Sequence, residues 1–382
     1  MPRRHLLTVL PRIIAALALT LSMPALVCAR DAPATTSTTA SAATDTKARA
    51  LFEGFKLPGL AVAVSHRGQI AYSGYLGHAD LEHGTPVTAK TRFRIGSVSK
   101  LLTIAAVARL HQTGQLDLDA PIQRYVPYFP TKEHEFTTRQ LANHTAGIRH
   151  YAAKDTQIIL ARWLENPPTW TSVQDSLSIF MDDPLVFEPG TAYSYSSYGY
   201  NLISAVVEGA AGKPFLEFMQ EEVSRPLGLA STATDDRQAI VPHRTRFYYA
   251  DPKTGEVRHE IPADNSYKWA GGGFLSSAED LTRLASAFLT PGFLDAETLK
   301  EVFTPHPKAQ DQGFEVGLGW RIEQVSGRTV YHHGGSINGG RAFVLAVPDD
   351  HLVVVLLANS YARFGKDEAM SIAESWLGAG QS

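Results

Sequence analysis

The chain predicts an α+β fold, with an antiparallel sheet assembled from both ends of the sequence around a helical insert. Apolar runs at 60–65 and 69–75 flank His66-Arg67-Gly68 and read as a β-hairpin. A second pair, 343–347 and 352–357, does the same around Pro348-Asp349-Asp350. Between them, from about 116 to 240, helical periodicity and loops dominate. Strands at the two ends and helices between them suggest one sheet closed by the termini. With 382 residues, 44% of them apolar, the chain has ample material for the core of one or two domains. Its net charge of −3 leaves no basic surface for nucleic acid and no polyacidic tail.

Taken in order, the first element is a leader. Arg3, Arg4 and Arg12 precede an apolar run from Ile13 to Val27 that ends at Val27-Cys28-Ala29, the layout of a secretory signal peptide over 1–29. The run is short for a membrane anchor, so no stable membrane insertion is expected after cleavage. Arg3-Arg4 leaves the Sec and twin-arginine routes both open. Cleavage after Ala29 removes three of the 35 basic side chains and none of the 38 acidic ones, moving the net charge from −3 to −6. It also removes the single cysteine, so an exported protein here would depend on its core rather than on disulfides. Residues 30–47 are rich in Ala, Thr and Ser, with almost no large apolar side chain, and read as a disordered linker. A folded domain is expected over 48–377, closed by a helix from Glu368 to Leu377.

The chemistry is carried by Ser97-Val98-Ser99-Lys100, at the head of a stretch apolar nearly all round, which places this helix in a core. Gly114 is its expected stop. Positions i and i+3 are helical neighbours, so Ser97 Oγ and Lys100 Nζ can share a hydrogen bond. Burial and the positive end of the helix dipole both disfavour an ammonium, which would make Lys100 a base for a Ser97 nucleophile. Further along come Tyr193-Ser194-Tyr195-Ser196-Ser197 after Pro189-Gly190, and His332-His333-Gly334-Gly335 near the end. No H-E-x-x-H run or other metal-ligand spacing accompanies the histidine pair, so neither a metal nor a cofactor is expected.

The order S-x-x-K, Y-x-S, H-x-G resembles the serine β-lactamase and penicillin-binding-protein family. The likeness is to the branch of class C β-lactamases, D-Ala-D-Ala carboxypeptidases and esterases, and in motif detail to the mitochondrial β-lactamase-like serine hydrolases. Phe93-Arg94-Ile95-Gly96, 141–148 and 270–281 fit the same branch, over about 50–377. The resemblance implies a three-layer sheet with helices on both faces, an all-helical subdomain, and an active site between them. It implies Ser97, Lys100 and Tyr195 as the catalytic set, with Ser197, His332, Gly334 and Gly335 around the oxyanion and substrate. His333 competes with His332 for the position facing the nucleophile. Tyr193, Tyr198 and Tyr200 are expected to pack, His144 to be structural, and Gly271–Gly273 to allow close approach.

Two positions depart from the β-lactamase pattern. Ser197 stands where Asn is usual, and His332 where Lys helps hold a substrate carboxylate; a histidine is mostly neutral near pH 7. The expectation is therefore an exported, periplasmic or secreted acyl-serine hydrolase of ester or peptide bonds, acting on a small-molecule or peptide substrate. The alternatives are a D,D-carboxypeptidase or weak class C-like β-lactamase, and a catalytically silent sensor or scaffold. The natural substrate and the oligomeric state are left open by the sequence.

Overall fold

The computed structural model describes residues 38–164, 170, 172–251 and 253–377. The expected signal peptide over 1–29 lies outside the described residues. The N-terminal hairpin is β1 (Gly59–His66) and β2 (Gln69–Asp80), followed by the short β3 (Thr85–Pro86). The C-terminal strands are β4 (Glu315–Val316), β5 (Arg321–Val325), β6 (Arg328–Ile337), β7 (Gly340–Val347) and β8 (Leu352–Ala358). They form one sheet in the order β3-β2-β1-β8-β7-β6-β5-β4. The first strand lies antiparallel to the last, Ala63 opposite Val355, so the two ends of the chain close the sheet as expected.

In β8 every residue of Leu352-Val353-Val354-Val355-Leu356-Leu357-Ala358 is buried. A strand with no polar alternation must be covered on both faces. Val353, Val355 and Leu357 join one core, and Leu352, Val354, Leu356 and Ala358 join the other. The inner core holds the helical part, including α2 (Ser99–Gln112) and α3 (Ser197–Ala211). The outer core lies under α1 (Thr38–Gly54) and α4 (Lys366–Glu374). No helix among the described residues is long and apolar enough to cross a membrane.

Helix α1 corrects the linker reading for residues 38–47. That segment lacks large apolar side chains, but small ones recur on one face: Ala40, Thr44, Ala48 and then Leu51 are buried. Helical spacing lets such a stripe approach closely, and the neighbouring chain supplies the bulk. Trp376 donates its indole N–H to Thr44 Oγ1 at 2.9 Å, and Lys47 Nζ reaches Ser375 Oγ at 2.9 Å. Composition measured what the segment could bury alone, not what it could bury against the other terminus.

Candidate active site

The turn that carries Ser97 is set by backbone. Residues Gly96–Val98 form a 3-10 turn that leads into α2. Gly96 has φ +49°, and a Cβ there would lie 2.9 Å from the Ser336 nitrogen of β6, so only glycine suits this position. Ile95 N–H is bonded to Phe274 O, and Ser99 Oγ accepts from Phe274 N–H at 3.2 Å. Ser97 is thereby held between the sheet and the glycine-rich segment, half-buried rather than sealed.

Lys100 is fully buried, as the apolar helix demanded. Its Nζ lies 3.1 Å from Ser97 Oγ, 3.0 Å from Ser197 Oγ and 2.6 Å from the Gly271 carbonyl. A Cβ on Gly271 would fall 2.9 Å from Ser197 O, so the glycine run does serve close approach. Burial first, and then the charge of Arg321, hold the ammonium well below its ordinary range. Lysine becomes a base only in that regime.

Tyr195 precedes α3, whose N-cap is Ser196; the Ser196 hydroxyl accepts from Gly199 N–H at 2.9 Å. The Lys100 ammonium sits 4.9 Å from the centre of the Tyr195 ring. Burial raises the phenol, while the hydroxyl of Ser97, the charge of Arg321 and the hydroxyl of Ser197 pull it back. The group is a neutral phenol at neutral pH. Tyr198 and Tyr200 are packing residues, donating to Asp155 Oδ2 and Ala142 O, each at 2.8 Å.

The histidine pair resolves in favour of His333. Side chains alternate along a strand, and β6 sends His332 and Gly334 to the outer face. There His332 Nε2 meets Glu323 Oε1 at 2.8 Å and its ring stacks on Phe343. His333 and Gly335 face inward. The His333 ring centre is 6.3 Å from that of Tyr195, and a Cβ on Gly335 would strike Ile95 O at 1.9 Å. The assignments of His332 and Gly334 to the nucleophile side are therefore corrected by the parity of the strand.

Three residues not read from the sequence complete the site. His150 Nδ1 accepts the Ser197 N–H at 3.1 Å, while His144 Nδ1 takes that of Ser196 at 3.2 Å. These two rings fix the start of α3. Burial and the Lys100 charge bring His150 down to about 4, and the same effects, with Arg321, hold His144 well below its usual value. Arg321 draws the Tyr193 phenol down against the larger effect of burial, its guanidinium lies 4.6 Å from the Phe314 ring centre, and it forms no ion pair among the described residues. Lys268 stands 5.8 Å from the Tyr151 ring centre, also without an acidic partner among the described residues. No motif marks His150, Arg321 or Lys268; only the fold brings them here.

The β-lactamase family model matches residues 45–375. The human mitochondrial serine β-lactamase-like protein LACTB is 31% identical over 380 residues, spanning 77% of this chain and 69% of that protein. The chain belongs to the β-lactamase family. Esterase EstB of Burkholderia gladioli is 29% identical over 276 residues, 64% of this chain and 69% of its own. Among solved structures, a penicillin-binding protein from Bacillus halodurans superposes with a TM-score of 0.72 at 25% identity, covering 86% of this chain and 98% of that one. This is a family of serine hydrolases. It places the chain among enzymes and agrees with the sheet, the helical part and the order of the motifs.

Proposed function

We propose that the protein is an exported acyl-serine hydrolase of ester or peptide bonds, working through a Ser97 acyl-enzyme. The contact of 3.1 Å between Lys100 Nζ and Ser97 Oγ, made by a buried lysine with a lowered proton affinity, carries this reading. Neutral Lys100 accepts the Ser97 proton as Oγ bonds to the substrate's acyl carbon. The developing oxyanion is met by the Ser97 and Gly335 N–H groups, donors worth roughly 3–4 kcal/mol each when preorganised. The bond to the leaving group then breaks, and the departing oxygen or nitrogen takes a proton from Tyr195, which Lys100 replenishes. Water repeats the sequence on the acyl-enzyme and returns Ser97 with the free acid.

The second reading, a D,D-carboxypeptidase or weak β-lactamase, draws on Arg321. This guanidinium supplies, from the strand beside β6, a cation of the kind that a lysine would otherwise present to a substrate carboxylate. The neutral histidines and Ser197 supply none, which favours the broader hydrolase.

Intact mass after brief exposure to p-nitrophenyl acetate tests the proposal. An acetyl increment is expected in the wild type and absent from Ser97→Ala. A folded wild type that gains no acetyl group from this ester would move the silent-scaffold reading ahead. The mass of the exported protein's N-terminus tests the compartment: a start at Arg30 is expected, and a start at Met1 would remove export.

A further inference from the structure

At the end of β6, one residue past the Ser336 nitrogen that lies against Gly96, is a cavity of about 380 Å³, walled in part by Leu160, Ile261, Pro262, Ile337 and Asn338, with Lys268 and Asp264 among its polar lining. Its position follows from β6. That strand runs from His333, beside Tyr195, past Gly335 to Ile337 at its end, and Asn338 follows. Under the proposed mechanism Tyr195 protonates the leaving group, so the leaving group sits toward His333 and Arg321. The acyl group must then extend the other way, along β6 toward Ile337 and this cavity. A run of contacts joins the two: His150 Nδ1 accepts the Ser197 N–H at 3.1 Å, its ring stacks on Tyr151 at 4.5 Å between centres, and Lys268 lies 5.8 and 5.2 Å from the ring centres of Tyr151 and Tyr267.

The walls call for an apolar ligand. Leu160 is 52% exposed and Ile261 is 72% exposed, at the rim of a pocket whose other walls include Pro262 and Ile337. Side chains of this size left open around a concave site mark a surface that gains from being covered. Lys268 calls for an anion. Its ammonium forms no ion pair among the described residues, although two carboxylates are near. Asp264 accepts the Ser266 N–H at 2.8 Å and faces Arg237 Nε at 3.7 Å. Asp235 is held by Arg94 at 2.6 Å and by Asn265 at 2.7 Å. Both acids are engaged elsewhere, and Lys268 remains as the unmatched charge.

We propose that this cavity is the acyl subsite, and that the substrate's acyl group is an apolar stem ending in a carboxylate that pairs with Lys268. The inference rests on the Ser97 acyl-enzyme reading. Burial, followed by the charges of Arg94 and Lys100, brings Lys268 down to about 8 against the opposing pull of Asp235 and Asp264; the Tyr151 and Tyr267 phenols beside it are pushed upward and stay neutral. The cation that selects the carboxylate is therefore present below about pH 8 and is lost above it.

Mono-p-nitrophenyl esters of adipate, pimelate and suberate, whose chains are too long for ready closure to a cyclic anhydride, compared with neutral p-nitrophenyl esters of equal chain length, test this directly. The leaving group and chemistry are constant, so the ratio of kcat/KM between the two sets reports only the acyl end. At pH 6.5 at least one dicarboxylic ester is expected to be preferred by about tenfold, the scale of one charge-assisted contact. The preference should collapse toward one in Lys268→Met, persist in Lys268→Arg, and fall in the wild type as pH rises from 7 to 9.5. Equal turnover of every pair, or a preference that survives Lys268→Met, overturns the proposal while leaving the hydrolase intact. Absence of p-nitrophenol release and of an acyl mass increment from all esters would instead overturn the Ser97 reading itself.

Discussion

His332 and His333 are neighbours in sequence and opposites in environment. His332 looks outward, to Glu323 and Phe343, and Glu323 in turn accepts from the Lys366 ammonium of α4, so the three strands and the helix are tied together on that face. His333 looks inward, toward Tyr195 and the Lys100 charge, and burial with Arg321 and Lys100 keeps it neutral. The glycines that follow divide in the same way. The difference teaches that a motif on a strand is two half-motifs, because successive side chains serve different faces. One face of β6 holds the sheet to its cover, and the other meets the turn that carries Ser97.

The glycines offer the largest effect with which to break that comparison. A Cβ on Gly335 would lie 1.9 Å from Ile95 O and 3.0 Å from Val98 N, so Gly335→Ala must push β6 away from the turn that carries Ser97. Losing the alignment of the proposed oxyanion donor should lower kcat by about 10²–10³. A Cβ on Gly334 meets side chains rather than backbone, the Phe343 ring at 3.2 Å and Arg341 Nη1 at 3.8 Å, so Gly334→Ala should keep activity within about threefold. Ester turnover of the two variants decides it. Equal losses would mean that the inward face of β6 has no special relation to the nucleophile.

The histidines come next. His333→Ala is expected to lower kcat/KM by roughly tenfold through a disturbed Tyr195 environment, a modest share of a proton-transfer contribution. His332→Ala should leave turnover nearly intact and reduce stability at pH 7 by about 1–2 kcal/mol, since it strips one of two partners from a half-buried carboxylate. Glu323 is held down to about 2, first by the bond from His332 and then by Lys366, against the cost of burial. A lowered carboxylate gives stability that is whole above its ordinary 4.5 and lost as pH falls from there toward 2. Burial lowers His332 too, so its neutral form contributes fully above 6.5 and less below. The gap between wild type and His332→Ala in urea unfolding should therefore shrink as pH falls. A gap that widens would contradict the neutral-histidine, charged-glutamate pair.

How much of this was legible beforehand depends on range. The hairpins and the buried α2 were plain, because each is written in a few consecutive residues. The Ser97, Lys100 and Tyr195 set was legible through the order of motifs, and the structure does bring those three together. The face of His332 was not, since motif register fixes position along a strand but not which side of the sheet is the site. Arg321 and Lys268 had no local signal at all. Each matters because it forms no ion pair among the described residues, and how the nearby acids are engaged leaves no trace in sequence. Residues 38–47 failed for the complementary reason: their partner, Trp376, is at the other end of the chain.

Arg321 sharpens the account of the inner face through pH. Its charge is the second cause, after burial, of the lowered proton affinity of Lys100. Because the neutral lysine is the proposed base, kcat/KM should rise with pH along an acid limb set by Lys100. Arg321→Ala removes a cation, so Lys100 should hold its proton to higher pH, and the limb should move upward. Arg321→Lys should restore it. A limb that stays in place in the alanine variant would separate Arg321 from the base and leave it only its contacts with Tyr193 and Phe314.

The smallest effect belongs to the outer face. Thr44 is fully buried, and its Oγ1 accepts the Trp376 indole N–H while donating to Ala40 O at 2.8 Å. Thr44→Val keeps the shape and removes the acceptor, leaving an indole N–H between α1 and the C-terminal helix without a partner. The expected loss is about 1–2 kcal/mol in urea unfolding, with acylation of Ser97 unchanged. A tether would not register this substitution. No change in stability would mean that α1 rests on the sheet without being bound into it, and that the covering of the outer face is due to α4 alone.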